Sequence, residues 1–274
     1  MGTLWVVSTP IGNLDDMTYR AVAVLRAAAA IACEDTRHTR KLLTHFGIDT
    51  PMVSLHEHNE AQRTAELLAR IEAGDTVALV SDAGTPLISD PGYRLVREAA
   101  ARGIRVSPVP GASALLAALA AAGMPTDAFR FCGFLPRKEG ERRQLLESLR
   151  SETATLVFYE TPHRVLQSLA DIAEVRGDPD VVAARELTKV HEEFIRGTAS
   201  AVRQALAGRD LVRGEFTLVV GPVGEAAAEE VVDVASAVLA LEARGVPRME
   251  AIKQVARERG LGKRDVYRAV EERR

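Results

Sequence analysis

Three short loops rich in glycine, proline and small polar residues each follow a run of β-branched residues. They read Thr9-Pro10-Ile11-Gly12-Asn13, Ser81-Asp82-Ala83-Gly84-Thr85-Pro86 and Val109-Pro110-Gly111-Ala112-Ser113-Ala114. Ligands of open α/β sheets lie beyond the carboxyl ends of the strands, where small residues let the backbone come close. Glycine and proline also simply end strands, but the stretch from Ser81 to Pro91 is longer than a connector needs. We therefore predict that the three loops meet at one ligand pocket.

The same loops lack the sequences that mark the commonest α/β enzymes. The first loop has one glycine where the dinucleotide-binding pattern G-x-G-x-x-G requires three. Walker, H-E-x-x-H and G-x-S-x-G sequences are also absent from the chain. The pocket is therefore not expected to bind a dinucleotide, and nucleotide hydrolysis and serine hydrolase chemistry are not indicated.

The cysteines and histidines do not form a recognisable metal-binding pattern. Cys33 and Cys132 lie about a hundred residues apart in apolar surroundings, so we expect two buried thiols rather than a disulfide. Two cysteines cannot form a four-cysteine zinc site, and the cluster His56-Glu57-His58-Asn59 matches no zinc spacing. We therefore predict no metal and expect the histidine cluster to contact a substrate.

The elements that position these loops can be read from the hydrophobic pattern. Short β-branched runs alternate with amphipathic or alanine-rich stretches through the first 220 residues, which predicts a layered α/β fold. Strands are predicted at residues 4–8, 31–33, 52–56, 77–81, 105–108, 130–134, 155–159, 181–185 and 216–220. Helices are predicted at residues 18–29, 60–72, 93–101, 140–149, 162–175 and 198–207.

The composition changes twice along the chain. An alanine-rich stretch at 112–123 separates two sets of strands and helices, and we interpret it as the crossing between two units. After residue 222 the strand-like runs stop, and helices are predicted at 229–244, 249–259 and 263–272, in the manner of a helix-turn-helix. The predicted domains are an N-terminal α/β domain at 1–113, a second α/β domain at 114–224 and a helical extension at 225–274.

Composition and charge exclude several classes of protein. With 274 residues, 47% hydrophobic and 27% charged, the chain has the balance of a folded soluble protein. We expect it to be cytoplasmic and without a membrane partner, because no apolar run approaches the ~20 residues of a membrane span and the N-terminus lacks a secretory signal. A net charge of −3 argues against indiscriminate nucleic-acid binding, but residues 130–150 carry six basic and three acidic residues. That segment is either a local polyanion-binding surface or a solvated helix face.

Eight short segments, spread over nearly the whole chain, carry a resemblance to a known family. They occur in the order Ser8–Leu14, Cys33–Arg37, His56–Glu60, Ser81–Pro86, Val109–Ser113, Phe134–Lys138, Tyr159–Arg164 and Arg185–Lys189. Together they resemble the ribosomal RNA small subunit methyltransferase I family, and none of them departs from the family's pattern. The resemblance implies the two-domain fold of the tetrapyrrole methylases, with a cofactor cleft between the domains and a small C-terminal helical extension. It also implies a homodimer.

The activity implied by the resemblance is the transfer of a methyl group from S-adenosylmethionine to the ribose 2'-oxygen of a cytidine in 16S rRNA, within the small ribosomal subunit. A sulfonium cofactor needs backbone groups and apolar walls rather than an anion cradle, and the three loops supply both. Thr217 is the weakest of the implied cofactor-binding residues, because threonine is common in strands. By motif position, these residues are Pro10, Ile11, Asp82, Ala83, Gly84, Thr85, Ile88, Ser113, Ala114 and Thr217.

Methyl transfer to a hydroxyl requires alignment of the reacting atoms and a means of handling the hydroxyl proton. A lysine with a lowered pKa would act as the base, whereas a charged lysine would stabilise the developing alkoxide. Each charged candidate could instead form an ordinary surface ion pair. The catalytic candidates are Lys189, Glu186, Asp35 and Glu160. The substrate-binding candidates, which suit phosphates or polar contacts next to the motif loops, are Arg37, His58, Asn59, Arg137, Lys138 and Arg164.

Two other functions remain open from the sequence. The first is methylation of a tetrapyrrole or another small molecule on the same scaffold, which the basic segment at 130–150 and the helical extension disfavour. The second is a non-catalytic RNA-binding or assembly role. Such a protein would bind RNA tightly without affinity for S-adenosylmethionine.

Overall fold

The computed structural model describes residues 2–222, 234–258 and 262–271. Its first half is a five-stranded sheet in the order β3-β2-β4-β1-β5, with all strands parallel. The strands are β1 (Thr3–Val7), β2 (Ala30–Cys33), β3 (Met52–Ser54), β4 (Val77–Val80) and β5 (Arg105–Val109). The connecting helices are α1 (Tyr19–Ala27), α2 (Thr36–His45), α3 (Glu60–Glu72) and α4 (Tyr93–Ala101), and a short 3-10 helix spans Leu14–Asp16.

The second half is a five-stranded mixed sheet in the order β6-β7-β10-β8-β9. Strands β6 and β7 are parallel, whereas β10 runs antiparallel to both β7 and β8, and β8 and β9 form an antiparallel pair. The strands are β6 (Phe129–Phe134), β7 (Thr155–Glu160), β8 (Asp180–Arg185), β9 (Glu193–Thr198) and β10 (Phe216–Val220). The helices are α5 (Ala114–Ala122), α6 (Glu139–Ser148), α7 (Val165–Arg176) and α8 (Ala199–Ala207).

Each sheet is covered by helices on both faces, which explains why its central strands are mostly apolar. In β7 the side chains alternate between faces: Leu156 and Phe158 join the cluster formed with α6, α7 and α8, whereas Val157 packs against α5. In the first sheet, β2 and β4 are buried along their whole length. This packing fixes the carboxyl ends of the strands, from which the candidate loops emerge.

Three C-terminal helices pack on one another: α9 (Val234–Ala243), α10 (Arg248–Glu258) and α11 (Lys263–Glu271). Their buried side chains, including Val238, Ile252 and Val266, form a hydrophobic cluster of their own. The predicted helix at 229–244 lies partly outside the described residues. Within the described ranges, no helix is both long and apolar enough to cross a membrane.

The α/β class, the two-sheet architecture and the C-terminal helices confirm the predicted fold class. The alanine-rich stretch that we interpret as the crossing between two units forms helix α5, which packs against the second sheet. Helix α2 and strand β9 were not predicted. The predicted limits at 113 and 224 stay a prediction.

The cysteine prediction is correct for one residue and wrong for the other. Both thiols are free, and Cys33 is buried. Cys132 is only partly buried, because β6 is an edge strand with solvent along one side.

Candidate functional site

The three predicted loops are hydrogen-bonded to one another at the carboxyl edge of the first sheet. Thr9 and Gly84 exchange two backbone hydrogen bonds, with N–O distances of 2.8 and 3.1 Å. The hydroxyls of Ser8 and Thr85 lie 2.9 Å apart, and the Thr85 hydroxyl donates to the carbonyl of Ala112 at 3.4 Å. The loops therefore form one continuous surface, as their position after parallel strands predicts.

This surface faces the second sheet across a cavity of about 290 Å³. All the predicted cofactor-binding residues except Pro10 line the cavity, together with Lys189 and Glu160. The lining residues that were not predicted as site residues are Ser89, Asp90, Phe134, Tyr159, Thr161, Ala184, Leu187, Glu215 and Phe216. Seven of these nine lie in or beside strands of the second sheet, where a strand pattern gives no sign of which residue faces a cavity.

The cavity extends across four strands of the second sheet. Phe134 ends β6, Tyr159 lies in β7, Thr217 lies in β10, and Lys189 follows β8. Neighbouring strands are about 4.8 Å apart, so the Phe134 end and the Lys189 end are separated by roughly 14 Å. The cavity therefore has two chemically distinct ends.

Gly84 shapes the wall between these ends. Its φ of +84° lies in the left-handed region, which favours glycine. A Cβ atom at this position would lie 3.3 Å from Cγ2 of Ile11, another lining residue. The absence of a side chain at Gly84 thus leaves room for a ligand against the backbone.

One end of the cavity contains a charged cluster built around Lys189. Its ammonium Nζ donates to Oε1 of Glu186 and to Oε2 of Glu215, at 2.9 Å each. The stem of Lys189 lies against Gly12, where an added Cβ would come within 2.5 Å of Cγ of Lys189. An added Cβ at Gly214 would likewise come within 2.5 Å of Cγ of Glu186. Two glycines therefore make room for this ion-paired cluster.

The hydrogen bonds within the cluster keep Lys189 and Glu186 charged. Burial lowers the pKa of Lys189, but its hydrogen bonds to Glu186 and Glu215 outweigh burial, so the pKa lies above the usual value. Burial raises the pKa of Glu186, but the hydrogen bonds from Lys189 and from the Glu215 backbone bring it below the usual value. At neutral pH the cluster therefore presents an ammonium ion rather than a neutral amine.

The loop that carries Lys189 has an unusual backbone. Glu186 and Thr188 adopt φ values of +50° and +66°, in the left-handed region that non-glycine residues rarely occupy. Such conformations cost on the order of 1–3 kcal/mol each and persist where surrounding contacts hold them. Here the Glu186 side chain supplies such contacts, because it accepts from the Glu215 backbone at 3.0 Å as well as from Lys189.

The other end of the cavity contains a half-buried carboxyl, Asp90. Burial, followed by the negative charges of Glu34 and Asp82, raises the pKa of Asp90 to about 7 from an ordinary 3.8. The pKa of the nearby Tyr159 hydroxyl is raised as well, mainly by burial and to a smaller extent by the negative charge of Asp90. Asp90 therefore carries a proton in the native state at pH values where an ordinary aspartate is ionised.

Asp90→Asn is expected to stabilise the protein above pH 7 and to leave stability unchanged near pH 4. The pKa of Asp90 is raised in the native state, so between about pH 4 and pH 7 the unfolded chain has lost the Asp90 proton while the native protein keeps it. The free energy of unfolding of the wild type therefore falls as the pH rises through this range. Asparagine cannot ionise and avoids this loss. Allowing for solvent screening of a half-exposed group, we expect roughly 1 kcal/mol, or about 2–4 °C in thermal unfolding at pH 8. The exposed Asp127, changed to Asn, is the control, and an equal gain at both pH values for Asp90→Asn would contradict this result.

Glu160 lines the cavity, but its carboxylate already has several partners. It accepts from the Thr161 backbone at 2.7 Å and from the Ser168 hydroxyl at 2.6 Å, and it pairs with Arg164 at 2.6 Å. The Glu160 side chain has no exposed surface. Arg164 also donates to the carbonyl of Leu135 at 2.9 Å. Both side chains therefore hold the local backbone in place.

Asp35 and Arg37 lie outside the cavity lining. Asp35 precedes α2, where it caps the helix and pairs with Arg37 at 3.0 Å. Hydrogen bonds from the side chain and backbone of Arg37 lower the pKa of Asp35 to about 2. The Asp35 backbone N–H donates to Asp82 at 3.2 Å, so Asp35 is one contact removed from the cavity, while Arg37 extends into solvent.

The remaining substrate-binding candidates divide into two groups. Asn59 accepts from the His56 backbone at 2.9 Å and donates to the Ser54 carbonyl at 3.2 Å, so it stabilises the turn before α3. His58 is exposed beside the His56 ring. Arg137 and Lys138 are exposed after β6, on the same segment as the cavity residue Phe134. Among the residues described, no cluster of three or more His, Cys, Asp or Glu side chains is arranged to hold a metal ion.

The arrangement of two sheets around a cavity, with the cavity at the carboxyl edge of the first sheet, is found in a known class of protein. The sequence pattern of the tetrapyrrole (corrin/porphyrin) methylases matches residues 3–203. The fold is similar to that of a solved uroporphyrin-III C-methyl transferase from Thermus thermophilus, complexed with S-adenyl homocysteine, with a TM-score of 0.55. That comparison covers 81% of this chain and 98% of the other at 18% sequence identity, so it concerns the fold alone.

Within this class, the chain belongs to the ribosomal RNA small subunit methyltransferase I family. It is 50% identical over 272 residues to the Halalkalibacterium halodurans member, a match that covers 97% of this chain and 93% of the relative. It is 48% identical over 271 residues to the Escherichia coli O157:H7 member, a match that covers 97% of this chain and 94% of that relative. The similarity thus includes the C-terminal helices as well as both sheets.

Proposed function

We propose that this protein transfers a methyl group from S-adenosylmethionine to the ribose 2'-oxygen of a cytidine in 16S rRNA. The observation that carries the proposal is the 50% identity over nearly the full length to a ribosomal RNA small subunit methyltransferase I. The cavity supports it, because three loops from the first sheet and four strands of the second converge on one site. A small-molecule methylase on the same fold would have no evident need for the basic residues exposed after β6.

The residues around the cavity fit S-adenosylmethionine. Apolar walls are supplied by side chains such as Ile11, Ile88 and Leu187, and backbone groups come from the three loops. Gly84 leaves space that a Cβ atom would fill. We propose that the loop residues 82–85 and Ile88, together with Ile11, Ser113, Ala114 and Thr217, hold the cofactor, with Pro10 shaping the first loop. When bound, the cofactor would supply a methyl group on a sulfonium sulfur, which departs as a neutral thioether when the methyl group is transferred.

Lys189 is the residue we propose to act on the reacting hydroxyl. Its ammonium ion would stabilise the negative charge that develops on the ribose oxygen as the hydroxyl proton passes to solvent water, before that oxygen accepts the methyl group. Glu186 and Glu215 orient this ammonium ion and keep it charged. A role for Lys189 as a neutral base is disfavoured, because both carboxylates raise its pKa. Asp35 and Glu160 stay predicted catalytic residues, although each already has a structural role.

The proposed RNA-binding surface lies beside the cavity. Arg137 and Lys138 are exposed after β6, and Arg37 is exposed beyond the first sheet. Such cations position a nucleic acid through its phosphates. His58 and Asn59 stay predicted substrate contacts. From the family resemblance we also propose that the protein acts in the cytoplasm as a homodimer, on rRNA within the small ribosomal subunit.

Methyl transfer assays with a radiolabelled methyl donor test the proposed function. The protein should label small ribosomal subunits that lack this modification, and ribose methylation should map to one cytidine. Parallel reactions contain free 16S rRNA and a porphyrinoid. Label in the porphyrinoid alone would contradict the proposal in favour of a tetrapyrrole methylase. Tight RNA binding without measurable S-adenosylmethionine affinity would favour a non-catalytic assembly role.

A further inference from the structure

We propose that Phe134 is the stacking surface for a nucleobase of the RNA strand next to the nucleotide to be methylated, and that the neighbouring Arg137 contacts a phosphate of the same strand. This inference rests on the proposed function and identifies how the site holds its RNA substrate. It concerns the end of the cavity opposite Lys189.

Phe134 is an exposed aromatic residue at the edge of the cavity. It ends the edge strand β6, lines the cavity, and leaves 50% of its surface in solvent. Its ring makes an edge contact with Tyr159, with centroids 5.6 Å apart and planes at 63°. Phe134 and Tyr159 thus form a continuous aromatic surface that lines the cavity. Unpaired RNA bases are commonly held by stacking on such aromatic rings.

An irregularity in β6 gives Phe134 its direction. The pairing register with β7 shifts between Phe131 and Phe134, and Gly133 between them has a φ of +66°. Bulges of this kind redirect a side chain and are common next to active sites. A Cβ at Gly133 would lie 3.7 Å from Oγ of Ser89, so the bulge lies against the cavity loop of the first sheet. The same distortion that turns Phe134 outward therefore brings this part of β6 against the cavity loop of the first sheet.

The backbone after Phe134 is held by two arginines. Arg164 donates to the Leu135 carbonyl at 2.9 Å. Arg142 donates to the carbonyls of Pro136 and Arg137 at 3.3 Å each, and it pairs with the buried carboxylate of Asp171 at 2.6 Å. The charge of Arg142 is thereby balanced inside the protein.

An anchored segment is a suitable platform for a flexible RNA. The side chain of Arg142 is 4% exposed and that of Asp171 is 2% exposed, so this pair cannot reach an RNA itself. The pair instead fixes the segment that carries Phe134 and Arg137. Because the segment is already ordered, binding does not have to order it, which lowers the entropic cost of association.

The positive charge of Arg137 favours binding of a nucleotide, rather than the cofactor, beside Phe134. Arg137 is exposed, and no described carboxylate forms an ion pair with it, whereas Lys138 pairs with Glu141 at 2.8 Å. A nucleotide in an RNA strand brings a base and a phosphate together, which matches an aromatic ring and a free guanidinium three residues apart. S-adenosylmethionine carries no phosphate. The combination of Phe134 and Arg137 therefore fits the RNA strand better than the adenine of the cofactor.

The test compares Phe134→Ala with Phe134→Tyr, using small ribosomal subunits as substrate. Phe134→Ala should reduce kcat/KM for the subunit by about 10- to 100-fold, the usual contribution of one stacked base. The affinity for S-adenosylmethionine, measured by calorimetry without RNA, should change less than twofold. Phe134→Tyr should retain most of the activity because it keeps a stacking ring. Arg137→Gln should raise KM for the subunit and leave cofactor affinity unchanged.

Phe129→Ala is the matched control, because Phe129 lies on the same strand and is 42% exposed but does not line the cavity. It should behave as wild type. Full activity of Phe134→Ala would overturn the inference. So would a parallel loss of cofactor affinity, which would assign the ring to the cofactor, or a changed particle mass in light scattering, which would assign it to a contact between protein chains. A wild-type protein that labels no ribosomal particle would instead contradict the proposed function.

Discussion

Gly84→Val is expected to lower the affinity for S-adenosylmethionine by about 100-fold while the protein remains folded. Valine at a φ of +84° is strained, and its Cβ would lie 3.3 Å from Cγ2 of Ile11. The loop must then shift, or Ile11 must move into the cavity. Either change removes contacts between the loop and the cofactor, and a loss of about 2.7 kcal/mol of binding free energy corresponds to roughly 100-fold in affinity. Calorimetry with the cofactor measures the loss, and circular dichroism checks the fold.

The Gly103→Val variant distinguishes the effect of backbone strain from the effect of a side chain that intrudes on the cavity. Gly103 also has a left-handed φ, +69°, but an added Cβ there meets no atom within 4 Å. It lies between α4 and β5 and does not line the cavity. We expect Gly103→Val to reduce thermal stability and to bind the cofactor like wild type. A folded Gly84→Val protein with unchanged affinity would show that the cofactor binds elsewhere.

The first-sheet side of the site could be predicted because its requirements are local. A glycine such as Gly84 marks a backbone position that other residues adopt poorly, and that constraint is visible in one sequence. Parallel strands also bring their carboxyl ends to one edge. The convergence of loops separated by about seventy residues therefore followed from the order of strands and small residues alone.

The partners of charged residues could not be predicted in the same way. Glu160 ends a strand and Lys189 follows one, both within charged motifs, so from the sequence alone they are equal candidates for a catalytic role. Tertiary packing gives them different surroundings, because Arg164, just before α7, and Ser168, within it, contact Glu160. Lys189 instead meets Glu215, which is distant in sequence. These pairings depend on tertiary contacts that leave no local signal.

Helix α2 and strand β9 were not predicted because their composition does not show a clear hydrophobic pattern. Helix α2 contains a run of threonine, histidine, arginine and lysine, so few apolar residues reveal its period. Strand β9 is an edge strand that contains Gly197 and Arg196, and it needs its neighbour β8 to form. Phe134 reads as an ordinary strand residue, although Gly133 within the strand pattern is a recognised sign of a bulge.

Lys189→Met is expected to lower kcat by roughly 100- to 1,000-fold, the effect of removing one group that stabilises a developing negative charge. Cofactor affinity should change much less, because the Lys189 ammonium group is ion-paired with Glu186 and Glu215, and methionine keeps an unbranched apolar stem against Gly12. Wild-type activity should not fall through deprotonation of Lys189 between pH 7 and about 9, since its pKa lies above the usual value. Lys41→Met, at an exposed position on α2, is the control for loss of a lysine.

Lys189→Arg distinguishes charge stabilisation from base catalysis. Arginine stays protonated and cannot accept the hydroxyl proton, but it can stabilise an alkoxide. We therefore expect Lys189→Arg to exceed Lys189→Met in kcat by at least about tenfold. Equal inactivity of the two variants would favour a neutral lysine base. Gly12→Ala provides a further check: its Cβ would come within 2.5 Å of Cγ of Lys189, so it should displace the ammonium ion and lower kcat with all charges retained.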